Sequence, residues 1–352
     1  MAKREIDGVL KDWGERVDYG RVQGRKGKNI AGGRYSKPAP EKKPSGREKL
    51  EATVRKAPEV MVKISGGGKD MRSIKAHMDY ISRNGAVELE DEQGRVHQGK
   101  EDVRAVRDDW RGGGIPYEDG TKREAFNIVL SMPPGTNRQA VKDAARAFAA
   151  ELFGNHQYVF AAHDDEKHPH VHLAVKAVDL DGVRLNPRKA DLQNWRETFA
   201  EKLRAQGIDA NATPRKARGI VRKAEKQAVV HIEQRGKTPR VKASRRADAE
   251  REASGVAVKP NPAQDRISVT RKDVQRAYGT AARALAKGEA KDKQLAVEIV
   301  HFVQQMPPPI TQHEAMVRQL REKKRDDART IGPAKTKETQ QDKDQGGPDQ
   351  SR

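Results

Sequence analysis

The stretch NHQYVFAAHDDEKHPHVHLAVK, residues 155–176, decides how this chain is read. Five of the ten histidines in the sequence fall between positions 156 and 172. Gln157–Ala162 and His170–Val178 are two strand-length apolar runs joined by the polar loop His163–Pro169, a spacing that predicts a hairpin. Residues two apart on a strand point to the same side, so His170 and His172 project together while Val171, Leu173 and Val175 face a core. With the two strands paired antiparallel, His163 at the end of the first comes beside them. Three imidazoles then converge as a ligand set for a divalent metal, with positions left open for substrate and water. Asp165 either accepts the free N–H of a ligating histidine or reaches the metal itself. One histidine alone is usually a surface or packing residue. Three at 168, 170 and 172, with His163 upstream, make a metal or phosphate site the better reading.

The neighbouring sequence supplies a fold for this hairpin. Val60–Ile64 alternates as a strand, a Gly66-Gly67-Gly68 turn follows, and Met71–Arg83 carries Ile74, Met78 and Ile81 at helical spacing before Asn84-Gly85. Phe126, Ile128 and Leu130 fall on one face of a further strand, Val129 and Ser131 on the other, and Pro133-Pro134-Gly135 ends it. Asn137 opens a helix with the stripe Val141, Ala144, Ala145, Phe148 and Leu152, and Leu192–Gln206 is helical through Trp195, Phe199 and Leu203. This order predicts an α+β fold: a largely antiparallel sheet with helices against one face. Alternation finds four strands, and the charged, Gly-rich stretch Glu88–Gly120 reads as an irregular insertion with a short helix around Val103–Trp110.

Composition bounds the rest. The 352 residues hold 71 Lys and Arg against 51 Asp and Glu, a net +20, with 34% hydrophobic and 4% aromatic residues. So few apolar side chains predict one compact domain with long polar flanks. Residues 1–57 read as a disordered basic arm, with Trp13 unaccounted for. Residues 58–220 form the domain, 221–270 a basic linker, 271–330 a helical region and 331–352 a disordered tail. Between Pro214 and Glu252 there are 13 Lys and Arg against 5 acidic residues. No apolar run approaches the roughly 18 residues of a membrane span, and MAKREIDGVLKDW lacks the apolar core of a signal peptide, so no membrane insertion and a cytoplasmic location are expected. The absence of cysteine excludes disulfides, thiolate-bound zinc and a cysteine nucleophile. The positive surplus points to a polyanionic partner, with nucleic acid foremost.

A metal site facing a polyanion calls for a nucleophile. Tyr80, in HMDYISRNG, is a candidate, since a phenolate beside a metal-bound phosphate can attack it and form a covalent phosphotyrosine. A tyrosine in that place is more often a core or helix-end residue. Ser131 either bonds a DNA phosphate or serves as a cap on the approach to the following helix.

HDDEKHPHVHLAV resembles the third motif of the plasmid relaxases, the HUH endonucleases of MobP type that include the T-DNA border nickases. HMDYISRNG resembles their first motif and NIVLSMPPGTN their second. The three occur in the family's order within about residues 58–220. The resemblance implies Tyr80 as nucleophile, His163, His170 and His172 as metal ligands, Asp165 as the carboxylate assisting the triad or the proton transfer, and Ser131 as a contact to DNA next to the nick. His168 is auxiliary. The implied fold is a five-stranded antiparallel sheet with helices, similar to palm and RNA-recognition folds, which puts a fifth strand in the 86–120 insertion. The implied activity is metal-assisted nicking of one strand at a plasmid or integrative-element origin of transfer, leaving a 3′ hydroxyl and a 5′-phosphotyrosyl link. Mg²⁺ or Mn²⁺ is the expected ion, with Zn²⁺, Co²⁺ and Ni²⁺ also compatible with histidine ligands. Expected partners are single-stranded and supercoiled DNA, an accessory nicking protein, a coupling protein and a type IV secretion system. Trp110, Tyr117 and Tyr158 are weak candidates for stacking on bases. The competing readings are a histidine-triad nucleotide hydrolase or transferase using the 168–172 pattern, an HUH replication initiator or transposase, and a non-catalytic basic DNA-binding protein with a structural metal.

Overall fold

The computed structural model describes residues 2–14, 45–112, 114–221, 225, 227–256 and 261–331. In chain order the first elements are α1 (Ala2–Trp13), α2 (Gly46–Val54), β1 (Met61–Gly66), α3 (Met71–Ile81), β2 (Leu89–Asp91) and β3 (Val96–His97). Then come α4 (Gly99–Gly112), β4 (Ala125–Ser131), α5 (Arg138–Phe153), β5 (Tyr158–His163), β6 (His170–Lys176) and α6 (Lys189–Ala205). The last are α7 (Gln227–Gln234), α8 (Arg240–Ala253), α9 (Pro262–Leu285), α10 (Ala290–Gln304) and α11 (Gln312–Ile331). The strands form one sheet in the order β1-β4-β6-β5-β2-β3, antiparallel at every pairing.

The α+β class and antiparallel sheet match the expectation, and the strand count corrects it. The sheet has six strands, because the 86–120 insertion holds two, β2 and β3. At three and two residues they are too short for a period-two pattern to reveal. The helices also cover both faces, where one was expected. Val62, Phe126, Ile128, Leu130, Phe160, Val171, Leu173 and Val175 pack with α5 and α6 through Phe148, Phe153, Trp195 and Phe199. On the opposite face Ala125, Val159, Ala161 and Ala174 meet Ile74, Met78 and Ile81 of α3 and Val103, Val106 and Trp110 of α4. Ala161, paired with His172, and Ala174, two residues beyond it, are small and leave room for α3 to approach the sheet.

Local chemistry fixes the elements around the site. Asp70 caps α3 by accepting the Ser73 N–H at 2.8 Å, and Asn137 caps α5 by accepting from Ala140 at 3.0 Å. The turn from β1 into α3 needs glycine at 68. A Cβ there would lie 2.4 Å from Ile74 Cγ1, while the Gly68 carbonyl accepts the N–H of Glu124 at 2.7 Å.

Two corrections concern the flanks. The segment read as a disordered arm contains α1 and α2, with 15–44 lying outside the described residues, as does the tail 332–352. Ile6, Leu10 and Trp13 of α1 and Leu50 and Val54 of α2 are buried with Tyr278, Leu285, Ile299 and Phe302 of α9 and α10. Trp13 thereby has its account: its ring lies 5.5 Å from that of Tyr278, whose hydroxyl donates to the Ala217 carbonyl at 3.0 Å. The segment read as a basic linker likewise contains α7, α8 and the start of α9. The chain divides into two compact units, Met1–Ile220 with Asp273–Met306, and Val221–Lys272 with Pro307–Arg352. In the second, α8 and α11 are joined by His313 to Glu252 at 2.6 Å and Lys324 to Ser254 at 2.8 Å. No helix among the described residues is long and apolar enough to cross a membrane.

Candidate metal and nucleophile site

Register builds the site. On β6, His170 is paired with His163 of β5 on one side and with Ser131 of β4 on the other, and His172 is paired with Ala161 and Val129. Paired residues share a face, so His163, His170, His172 and Ser131 all stand on the side covered by α3. The three imidazole rings lie 4.6 to 5.3 Å apart by centroid, and one ring nitrogen from each falls within 4.8 Å of the others.

Helix α3 brings the phenol to this cluster. Its stripe Met71, Ile74, Met78 and Ile81 is buried, which turns Tyr80 to the rim, 53% exposed. The Tyr80 ring lies 5.5 Å from His172 and 6.3 Å from His163. One turn earlier on the same face His77 stacks on Tyr80 at 6.3 Å and meets His172 edge-on at 6.4 Å.

Hydrogen bonds fix which nitrogens are available. His163 Nε2 lies 2.7 Å from the Ile81 carbonyl, which can only accept, so Nε2 carries the proton and Nδ1 the lone pair. His170 Nδ1 donates to the His168 carbonyl at 2.9 Å, leaving Nε2 free. Burial, followed by the crowding of His163 and His170, pushes His172 down to about 3, and burial also lowers His163. Neutral imidazoles are what a metal requires. Three imidazole nitrogen donors fit Mn²⁺, Co²⁺, Ni²⁺ or Zn²⁺ better than the oxygen-seeking Mg²⁺.

The structure brings Tyr80, His163, His170 and His172 together and sets Ser131 directly across from His170. Ser131 is buried, and its hydroxyl donates at 3.5 Å to the Met132 carbonyl. Asp165 does not accept the ring N–H of His163 or of His170, which go to the Ile81 and His168 carbonyls. It instead accepts from Arg83, whose hydrogen bond holds the carboxyl below its ordinary value. His168 is exposed and contributes its carbonyl to His170. Of the stacking candidates, Trp110 and Tyr158 are buried and have no face to offer a base, whereas Tyr117 is exposed.

Three residues escaped the sequence reading. Arg83 lies over the Tyr80 ring at 5.0 Å and places Nη2 3.3 Å from His163 Nδ1. His77 is held near 4 by burial, and its Nε2 is buried without a partner. Its i, i+3 spacing from Tyr80 was the available signal. Arg138, in the first turn of α5, donates to the His163 carbonyl at 3.2 Å and to Asp164 at 3.4 Å, which braces the loop between the two histidine strands.

Comparison with known proteins covers much of the segment that carries these residues. Residues 80–208 match the family described as relaxase, MobA/VirD2-like, nuclease domain. The chain is 28% identical over 183 residues to the T-DNA border endonuclease VirD2 of Rhizobium radiobacter, covering 46% of this chain and 43% of that protein. The proteins of the same name from Rhizobium rhizogenes and Agrobacterium fabrum give the same identity over the same length, covering 42% and 41% of theirs. The matched region is thus less than half the length of these curated relatives.

Proposed function

Taking residues 80–208 as a MobA/VirD2-like relaxase nuclease domain, we propose that this chain nicks one DNA strand by transesterification, with Tyr80 as nucleophile. The observation that carries the reading is the 5.5 Å approach of the Tyr80 ring to His172 within a cluster of three convergent imidazoles.

In the proposed step the phenol oxygen of Tyr80 forms a bond to phosphorus as the P–O3′ bond breaks, its proton leaves, and the departing 3′ oxygen takes one up. The product is a 5′-phosphotyrosyl link that a 3′ hydroxyl can later reverse. His163, His170 and His172 would hold a divalent cation, which supplies Lewis-acid polarisation of the phosphodiester. The guanidinium over the Tyr80 ring offers N–H donors to a phosphate. Asp165 orients that guanidinium, and Ser131 lines the strand approach from β4. Attraction of the +20 chain to the phosphate backbone makes binding steeply salt-dependent. The nucleotide-hydrolase alternative leaves Tyr80 and His163 without roles, although both join the cluster.

The proposed setting is the cytoplasm, on supercoiled DNA at a plasmid or integrative-element origin of transfer, with an accessory nicking protein, a coupling protein and a type IV secretion system as partners in conjugation. The test is incubation with supercoiled plasmid carrying the DNA adjacent to the gene and Mn²⁺, followed by a search for protein on the 5′ end of the nicked strand. Wild type should give the adduct and Tyr80→Phe none. An adduct that persists in Tyr80→Phe would remove the nucleophile from this proposal.

A further inference from the structure

His163 has one lone pair to give, on Nδ1, because its Nε2 proton is committed to the Ile81 carbonyl at 2.7 Å. Arg83 Nη2 stands 3.3 Å from that nitrogen. A guanidinium is permanently charged and only donates, so the contact consumes the lone pair that a metal at the triad would need. The arginine is anchored from outside by its ion pair to Asp165, which is more exposed than Arg83 itself. Its other face rests on the Tyr80 ring.

The backbone reinforces the placement. Helix α3 ends after Ile81, and Arg83, Asn84 and Gly85 follow with φ of 50°, 58° and 90°. Glycine or asparagine adopts this left-handed conformation with less strain than arginine does. Gly85 is required for a second reason, since a Cβ there would lie 2.5 Å from the Gly99 carbonyl carbon. An arginine at the first left-handed position is therefore costly to the chain and is explained by what its side chain reaches.

We propose that Arg83 is a built-in stand-in for the metal: its guanidinium occupies the His163 lone pair when the triad is unloaded, and a divalent cation must displace it. The inference rests on reading the triad as a cation site. A dication on Nδ1 and a guanidinium hydrogen-bonded to the same atom exclude each other by overlap and by charge. On loading, Arg83 gives up Nδ1 and keeps Asp165, which frees an N–H beside Tyr80 for a phosphodiester oxygen. Metal entry and phosphate capture are thereby linked through one side chain, and Arg83 becomes a positioning residue for both.

The test is Co²⁺ binding by the full chain, read by visible absorption and by calorimetry, for wild type, Arg83→Gln, Arg83→Ala and His172→Ala. Arg83→Gln keeps most of the side chain's length without its charge, and the thermal midpoint of each variant reports folding independently of metal. Removing a positive charge and a competing donor should tighten Co²⁺ binding about tenfold or more in both Arg83 variants, while His172→Ala loses it. Folded Arg83 variants that bind Co²⁺ no more tightly than wild type overturn the inference and leave the triad reading intact. Co²⁺ binding that survives His172→Ala overturns the cation site itself, and the inference with it.

Discussion

Strand β6 has two faces with opposite duties. Val171, Leu173 and Val175 are sealed against α5 and α6, and any apolar side chains of matching volume there would serve. His170 and His172, interleaved with them, stand under α3 with atoms that only imidazole supplies. One seven-residue strand thus carries both the centre of the core and two-thirds of the candidate ligand set. The comparison teaches that the site is rigid because its supports are the fold itself. Its histidines need no separate scaffold, since the pleat that buries Leu173 aims His172.

Substitutions that separate the faces test this division. The largest effect is expected at His172→Ala, which should lower the rate of strand nicking by at least about a hundredfold while leaving the urea midpoint of unfolding close to wild type. A large loss of stability there would show that the two faces are not independent. Next is Leu173→Ala on the packed face. It should cost about 2–5 kcal/mol in unfolding free energy, with the Co²⁺ stoichiometry of the molecules that remain folded unchanged. A folded Leu173→Ala protein that no longer binds Co²⁺ would mean the site depends on core packing more finely than the division allows.

The smallest effect sharpens the picture through pH. His172 and His77 are held at about 3 and about 4 in the folded chain, against an ordinary value of 6.5. Below pH 6.5 the unfolded chain takes up protons that the folded one refuses, so stability should fall as the pH drops from 6.5 towards 4 and stay level above 6.5. Urea unfolding between pH 7.5 and 4.5, repeated in His77→Gln and His172→Gln, reads this directly. Unchanged pH slopes in both variants would contradict the burial that lowers these groups.

What the sequence could show was governed by range. The alternation His170-Val171-His172-Leu173 and the stripe Ile74, Met78, Ile81 are local periodicities, so the hairpin and α3 were legible together with the residues that they aim at one another. The strands β2 and β3 were not, because a strand of two or three residues has no period to read. Arg83 was quoted within its motif and still missed. Its placement comes from a left-handed backbone and from partners 80 and 82 positions away, neither of which spacing encodes. Ile6, Leu10 and Trp13 do recur at helical spacing within a polar segment, but the surface that buries them arrives some 260 residues later on α9 and α10.

That last packing bears on how the protein is to be prepared. Trimming the polypeptide after residue 220 to isolate the six-stranded sheet would strip Tyr278, Leu285, Ile299 and Phe302 from the helices that begin it, and bare Leu10, Trp13, Leu50 and Val54 to solvent. Such a fragment should be sticky and prone to precipitate, whereas a recombinant product reaching past Met306 keeps the seam closed.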